Sequence, residues 1–118
     1  MKAERRASLA CVCATIVHNS LEYRAVYDYE RSKYSYFSTS GSIRQFTIYD
    51  YDRSCYMSIN TSSCYDYGTS SYVTINRNGN MIILYDHQSS SYCHVHVNGN
   101  SVVFYDYEFG KYFNFIVS

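Results

Sequence analysis

One phrase occurs five times in this chain and limits its fold more than any other feature: Tyr-Asp, an aromatic ring, four further residues, then Tyr. The copies open at Tyr27, Tyr49, Tyr65, Tyr85 and Tyr105 and close at Tyr34, Tyr56, Tyr72, Tyr92 and Tyr112; in the fourth, His87 replaces the third-position tyrosine. A phrase repeated at near-regular spacing marks a single supersecondary unit stacked on copies of itself. At 118 residues the chain is long enough for one modest core. It divides into an N-terminal segment, residues 1–20, and a tyrosine-rich hairpin-repeat domain, residues 21–118.

Within 21–118, side chains alternate with the period of two expected of half-buried strands. Asn78-Gly79 and Asn98-Gly99 are hairpin signals, because Asn-Gly accepts the positive φ angles of a two-residue turn. Centring a hairpin on Asn78-Gly79 opposes Ile75 to Ile82 and Tyr72 to Tyr85, and the same step at Asn98-Gly99 opposes Val95 to Val102 and Tyr92 to Tyr105. Gly41-Ser42 fits a Gly-X turn that sets Phe37 against Phe46, and Asn60-Thr61 closes a shorter hairpin that sets Tyr56 against Tyr65. The repeated phrase supplies the remaining turns as even loops, with Tyr107 facing Tyr112.

These registers put all sixteen tyrosines on one face, with Thr47, Ser58, Ser63, Thr74, His94, His96 and Asn114. The opposite face carries Val26, Phe37, Phe46, Ile48, Met57, Ile59, Val73, Ile75, Ile82, Leu84, Val95, Val97, Val102, Phe104, Phe113, Phe115 and Val117. A one-residue slip would mix the two sets. Each hairpin also drifts in one sense, which over ten strands accumulates a shear of about ten and a tilt of roughly 37°. The expected fold is mainly β: an up-and-down antiparallel meander of nine or ten short strands, strongly coiled or closed into a barrel, its aliphatic face concave. The alternative is an open sheet covered by a second subunit.

In residues 1–20, Leu9, Val12, Cys13, Ile16 and Val17 fall on helical spacing, and Asn19 is a natural stop. This predicts a short amphipathic helix packed into or across the concavity. Lys2, Arg5 and Arg6 before an apolar run also resemble a signal peptide, but the run is short and leads to His18 rather than a small-residue cleavage site.

Ten basic and ten acidic residues balance, so no net field recruits nucleic acid or an anionic membrane. The lack of proline suits a sheet whose donors are in use. Five irregularly spaced cysteines, Cys11, Cys13, Cys55, Cys64 and Cys93, are a poor disulfide framework and lack zinc-knuckle pairs. They read as reduced thiols of a cytoplasmic protein, with secretion still open.

Asp28, Asp50, Asp66, Asp86 and Asp106 fall on the aliphatic face just before each loop, where they are expected to accept hydrogen bonds from loop amides. Spread along a staggered edge, they make a poor calcium site. His87, His94 and His96 are the candidate metal ligands, with His87 diagonal to His94 in the expected register. No catalytic triad or phosphate loop can be assembled, so the chain reads as non-enzymatic and cofactor-free.

The main candidate site is the tyrosine face, with Tyr49, Tyr56, Tyr65, Tyr72, Tyr85, Tyr92, Tyr105 and Tyr112 as ligand-binding residues. So broad an amphipathic aromatic surface suits a protein partner, a second copy of the chain, or a carbohydrate. The repeats are similar in length and hairpin-per-repeat logic to the aromatic repeats of bacterial choline- and glucan-binding proteins. They lack tryptophan and the Gly-Trp steps of that family, so its ligand is not carried over. Two alternatives remain: a barrel carrier of a small apolar ligand, and a metal-dependent enzyme resting on the histidines alone.

Overall fold

The computed structural model describes all 118 residues. A helix, α1 (Ala3–His18), precedes ten strands: β1 (Ala25–Asp28), β2 (Lys33–Ser42), β3 (Gln45–Asp50), β4 (Cys55–Asn60), β5 (Ser63–Asp66), β6 (Ser71–Asn78), β7 (Met81–Asp86), β8 (Ser91–Asn98), β9 (Ser101–Asp106) and β10 (Lys111–Val117). Each strand pairs antiparallel with its neighbours in sequence, and β1 pairs with β10 to close a barrel. Closure removes the exposed edges that an open meander would carry.

The two faces are sorted as the alternation requires. Every residue of the predicted aliphatic face is buried, none more than 4% exposed, and no tyrosine is buried. The registers within the hairpins differ from expectation by even steps. Ile75 faces Leu84 rather than Ile82, and Val95 faces Phe104 rather than Val102. The turns at these hairpins are Gly79-Asn80 and Gly99-Asn100, flanked by the pairs Asn78–Met81 and Asn98–Ser101. Positive φ falls only on the glycine of each, 63° and 59°, which suits a turn with glycine first rather than an Asn-Gly turn.

Gly41 marks no turn. It lies within β2 opposite Phe46, at φ 113°, where a Cβ would come within 2.7 Å of the Gln45 carbonyl oxygen. Phe37 consequently faces Asp50. In the shorter hairpin Met57 faces Asp66.

The repeated phrase forms four-residue loops, so that its first and last tyrosines face each other: Tyr105 opposes Tyr112, not Tyr107. The loop's last residue is left-handed in every copy: Ser32, Ser54, Ser70, Ser90 and Gly110, at φ 51–63°. This small sixth residue belongs to the repeat as firmly as the tyrosines do.

Following the register from strand to strand around the barrel returns to β1 displaced by 14 residues, a larger shear than expected. With standard spacings that shear gives a tilt of about 45° and a wall radius of about 11 Å, against 9–10 Å for a shear of ten. The difference matters because a helix with its side chains is about 10–12 Å across.

Helix α1 occupies this widened lumen. The expected single apolar stripe gives way to burial all round, with every residue from Arg5 to Thr15 buried. Small side chains make this fit: Ala7, Ser8, Ala10, Cys11, Cys13 and Ala14 face a wall of Phe, Ile, Leu and Val. Asn19 adopts φ 53° and stops the helix where expected. Arg77 closes that end by donating to the carbonyls of Ile16 and Val17 at 3.2 and 3.4 Å.

The other end of the helix explains its basic first turn. Asp28, Asp50, Asp66, Asp86 and Asp106 are all buried around this mouth. Each accepts the predicted bond from the amide two residues on, at 2.9–3.1 Å. They also converge on arginines, contrary to the expectation that they lie apart. Arg5 reaches Asp66 and Asp86 at 2.7 Å each, Arg53 reaches Asp50 and Asp66 at 2.7 and 2.9 Å, and Arg31 reaches Asp28 at 2.6 Å. Carboxylates around a helix N-terminus satisfy both the dipole and the arginines. No buried side-chain polar atom lacks a partner.

Candidate functional site on the outer wall

Because successive strand residues alternate in direction, the first and third residues of the phrase project outward on the same side as the closing tyrosine. Each first tyrosine therefore meets two rings. Across the loop, Tyr27–Tyr34, Tyr49–Tyr56, Tyr65–Tyr72, Tyr85–Tyr92 and Tyr105–Tyr112 have centroids 4.7–4.9 Å apart. Along the chain, Tyr29, Tyr51, Tyr67, His87 and Tyr107 each lie 4.7–5.0 Å from that same first tyrosine. All these contacts are edge-to-face, the arrangement that ring quadrupoles favour.

The loop rings are held against the wall by their own backbone. The amides of Tyr51, Tyr67, His87 and Tyr107 donate to the carbonyls of Tyr36, Tyr56, Tyr72 and Tyr92 on the preceding strand. The result is a collar of five aromatic triads near the mouth that holds the helix N-terminus. Its outermost rings, among them Tyr56, Tyr67, Tyr72 and Tyr112, remain 54–63% exposed.

The eight tyrosines singled out from the sequence all belong to this collar, but in other partnerships. Tyr72 pairs with Tyr65 rather than Tyr85, and Tyr92 with Tyr85 rather than Tyr105. Tyr27, Tyr34 and the third-position rings, expected on this face but outside those eight, are further members of the collar.

A second property of the wall emerges once its outward residues are identified. No Asp, Glu, Lys or Arg points outward from any of the ten strands; between the tyrosines stand Ser, Thr, Asn, Gln, His and a few aliphatics. The charged side chains sit in the lumen, at the mouths, in the loops and in the segment before β1.

The three histidines are not brought together. His87 sits in a triad against Tyr85 and bonds Thr74 Oγ1 through Nε2 at 2.8 Å, whereas His94 faces Ile83 and His96 faces Met81. No group of three or more His, Cys, Asp or Glu side chains is placed to hold a metal ion. All five cysteines are free. Burial pushes the thiols of Cys11, Cys64 and Cys93 up to about 12, and that of Cys13 well above its ordinary value. The lumen that a small apolar ligand would need is filled by α1, which removes the carrier reading.

The outer wall also bears a groove of about 560 Å³ lined by Met81, His94, His96, Val103, Tyr105, Tyr107 and Tyr112. No helix is long and apolar enough to cross a membrane. The chain matches no protein-family model, no curated protein and no solved structure.

Proposed function

We propose that the protein is a non-enzymatic binding module that presents its outer tyrosine triads to an uncharged, repetitive partner, a neutral glycan chain. The carrying observation is that one aromatic triad occurs five times on a wall with no outward charge. Tyrosine faces stack on the C–H faces of sugars, while hydroxyl and amide side chains between them exchange hydrogen bonds with sugar hydroxyls. Equivalent sites around one rim match a polymer that offers equivalent units, and linked weak contacts combine into avidity. Outward Gln45, Asn76 and Asn114 distinguish this wall from the apolar band of a barrel in lipid.

A second reading has its own support. Tyrosine interspersed with Ser and Asn is the composition of antibody paratopes, where rigid aromatic area combines with adaptable polar groups. With zero net charge, nothing repels a second copy of the chain.

The test uses a variant carrying serine at Tyr72, Tyr85, Tyr92 and Tyr105, compared with wild type on a glycan array and by light scattering. The expected result is wild-type binding to neutral glycans that the variant loses. Tyrosine-dependent self-association without glycan binding would favour the second reading. Identical behaviour in both assays would reduce the collar to a structural role.

A further inference from the structure

Sequence repetition makes departures from it informative: the first triad gains Tyr36, stacked on Tyr34, and the β7–β10 sector departs at several positions together. The outward residue two places after Tyr36, Tyr56 and Tyr72 is Ser38, Ser58 or Thr74, but after Tyr92 it is His94. The ring of His94 lies 5.0 Å from Tyr107, edge to face. Here alone a loop ring of the phrase meets a second ring, because Tyr107 also lies 4.7 Å from Tyr105; in the fourth phrase the matching contact is the His87–Thr74 hydrogen bond. The fifth triad thereby becomes a four-ring cluster running from Tyr112 through Tyr105 and Tyr107 to His94.

Away from the rim the departure continues. His96 stands where β4 and β6 carry Asn60 and Asn76, and Val103 stands where β3 and β5 carry Thr47 and Ser63. Met81, directly opposite His96, is 41% exposed. Outward Val103 and Met81, with Ile83 beside them on β7, make this sector more apolar than β3–β6, and neither Val103 nor Met81 contributes to the core. Locally broken rules of this kind are expected where a surface serves binding rather than folding.

These residues line a half-open groove of about 560 Å³, similar in size to the grooves of about 530 and 650 Å³ beside Tyr56 and Tyr65 but more apolar in its lining, as small-ligand sites are. None of its lining side chains carries a carboxylate, ammonium or guanidinium group. We infer that this groove on β7–β10 is the principal subsite of the module and takes one neutral pyranose unit. Tyr107 is the stacking platform, held by edge-to-face contacts with Tyr105 and His94. His94 and His96 exchange hydrogen bonds with sugar hydroxyls, and Val103 with Met81 meets the C–H edge of the ring. An anionic sugar finds no lysine or arginine there.

The inference rests on the glycan reading above but concerns where binding is concentrated. The experiment titrates maltohexaose, cellohexaose and chitohexaose into the full chain by calorimetry, with saturation-transfer NMR to identify sugar protons near the rings. The variant His94→Ser/His96→Asn installs the residues that β4 already carries at the equivalent places, Ser58 and Asn60, so the barrel is preserved. Affinity for the hexasaccharide that binds is expected to fall at least tenfold. A second variant, Tyr49→Ser/Tyr65→Ser, removes the central rings of two remote triads and is expected to weaken binding of that hexasaccharide through lost avidity, but by less than the histidine variant does. If the histidine variant binds as wild type does while the remote variant loses binding, the groove is not the principal subsite, though the glycan reading stands. If wild type binds none of the three at millimolar concentration, both fall.

Discussion

The guanidinium of Arg5, carried on the enclosed helix, lies 2.7 Å from the Asp66 carboxylate on the barrel wall, and both side chains are out of solvent. The same group reaches Asp86 at 2.7 Å, so one helical side chain fastens two consecutive repeats from inside. Removing one partner of a buried pair strands the other, at a cost of about 3–5 kcal/mol. Arg53 still neutralises Asp66, which places Arg5→Met near the lower end, at about 3 kcal/mol. Urea denaturation at neutral pH measures this, and an unchanged midpoint would show that the helix is held by packing alone.

The same carboxylates set an acid limit. Burial alone would raise Asp66 and Asp86, but hydrogen bonds from Arg5, with Arg53 at Asp66 and Ser89 at Asp86, outweigh it and hold both below the usual range. A depressed folded pKa contributes stability above the unfolded value of about 3.9 and loses it as pH falls through the folded value. The urea midpoint is therefore expected to stay level from pH 7 to about 5 and to fall steeply below about 4. In Arg5→Met the acid fall should be shallower, because part of the linkage is already gone.

Buried thiols with raised pKa values are poor nucleophiles. Iodoacetamide at mildly alkaline pH is expected to leave Cys11, Cys13, Cys64 and Cys93 unmodified in the native protein and to modify half-buried Cys55 slowly. In urea all five should react. Mass spectrometry counts the adducts; rapid native labelling of Cys11 or Cys13 would mean that the helix leaves the barrel readily.

The left-handed residue that closes each loop offers a backbone test. Ser90 sits at φ 54°, a region that costs an L-residue about 1–2 kcal/mol and a β-branched one most. Ser90→Gly is expected to be neutral or stabilising by up to about 1 kcal/mol, and Ser90→Val to destabilise by about 1–2 kcal/mol. Thermal melts of the two variants would show it, and equal melting points would contradict the assigned loop geometry.

Within a triad the rings are not equivalent. Tyr105 meets both Tyr107 and Tyr112, whereas the rings of Tyr107 and Tyr112 have no edge-to-face contact with each other. At about 0.5–1.5 kcal/mol per edge-to-face contact, Tyr105→Ser should cost roughly twice what Tyr112→Ser costs. Equal losses in chemical denaturation would mean that the triads contribute little to folding.

How much of this could be read beforehand depended on how local each property was. The side to which Val95 or Tyr105 points follows from the period of two, and survived every register error because each error was an even step. The bond from each aspartate to the amide two residues on was likewise legible, being closed within a few residues. The partner of each tyrosine was not, because Tyr72 faces outward whether it stands beside Tyr65 or Tyr85. The collar therefore appeared in the sequence as a set of residues without its triads. The absence of outward charge was latent in the alternation and would have emerged from sorting charged residues by face.

What the amino-acid order determined by itself is a ribbon with two chemically distinct sides and turns at known intervals. The size of the barrel, the helix within it and the pairing of Arg5 with Asp66 and Asp86 were decided only in three dimensions. The physical reason is that a two-residue slip leaves side-chain direction unchanged but alters the shear, and with it the radius. Only the whole barrel, closing around a helix of small side chains and supplying carboxylates to its arginines, discriminates among registers that each hairpin alone accepts equally.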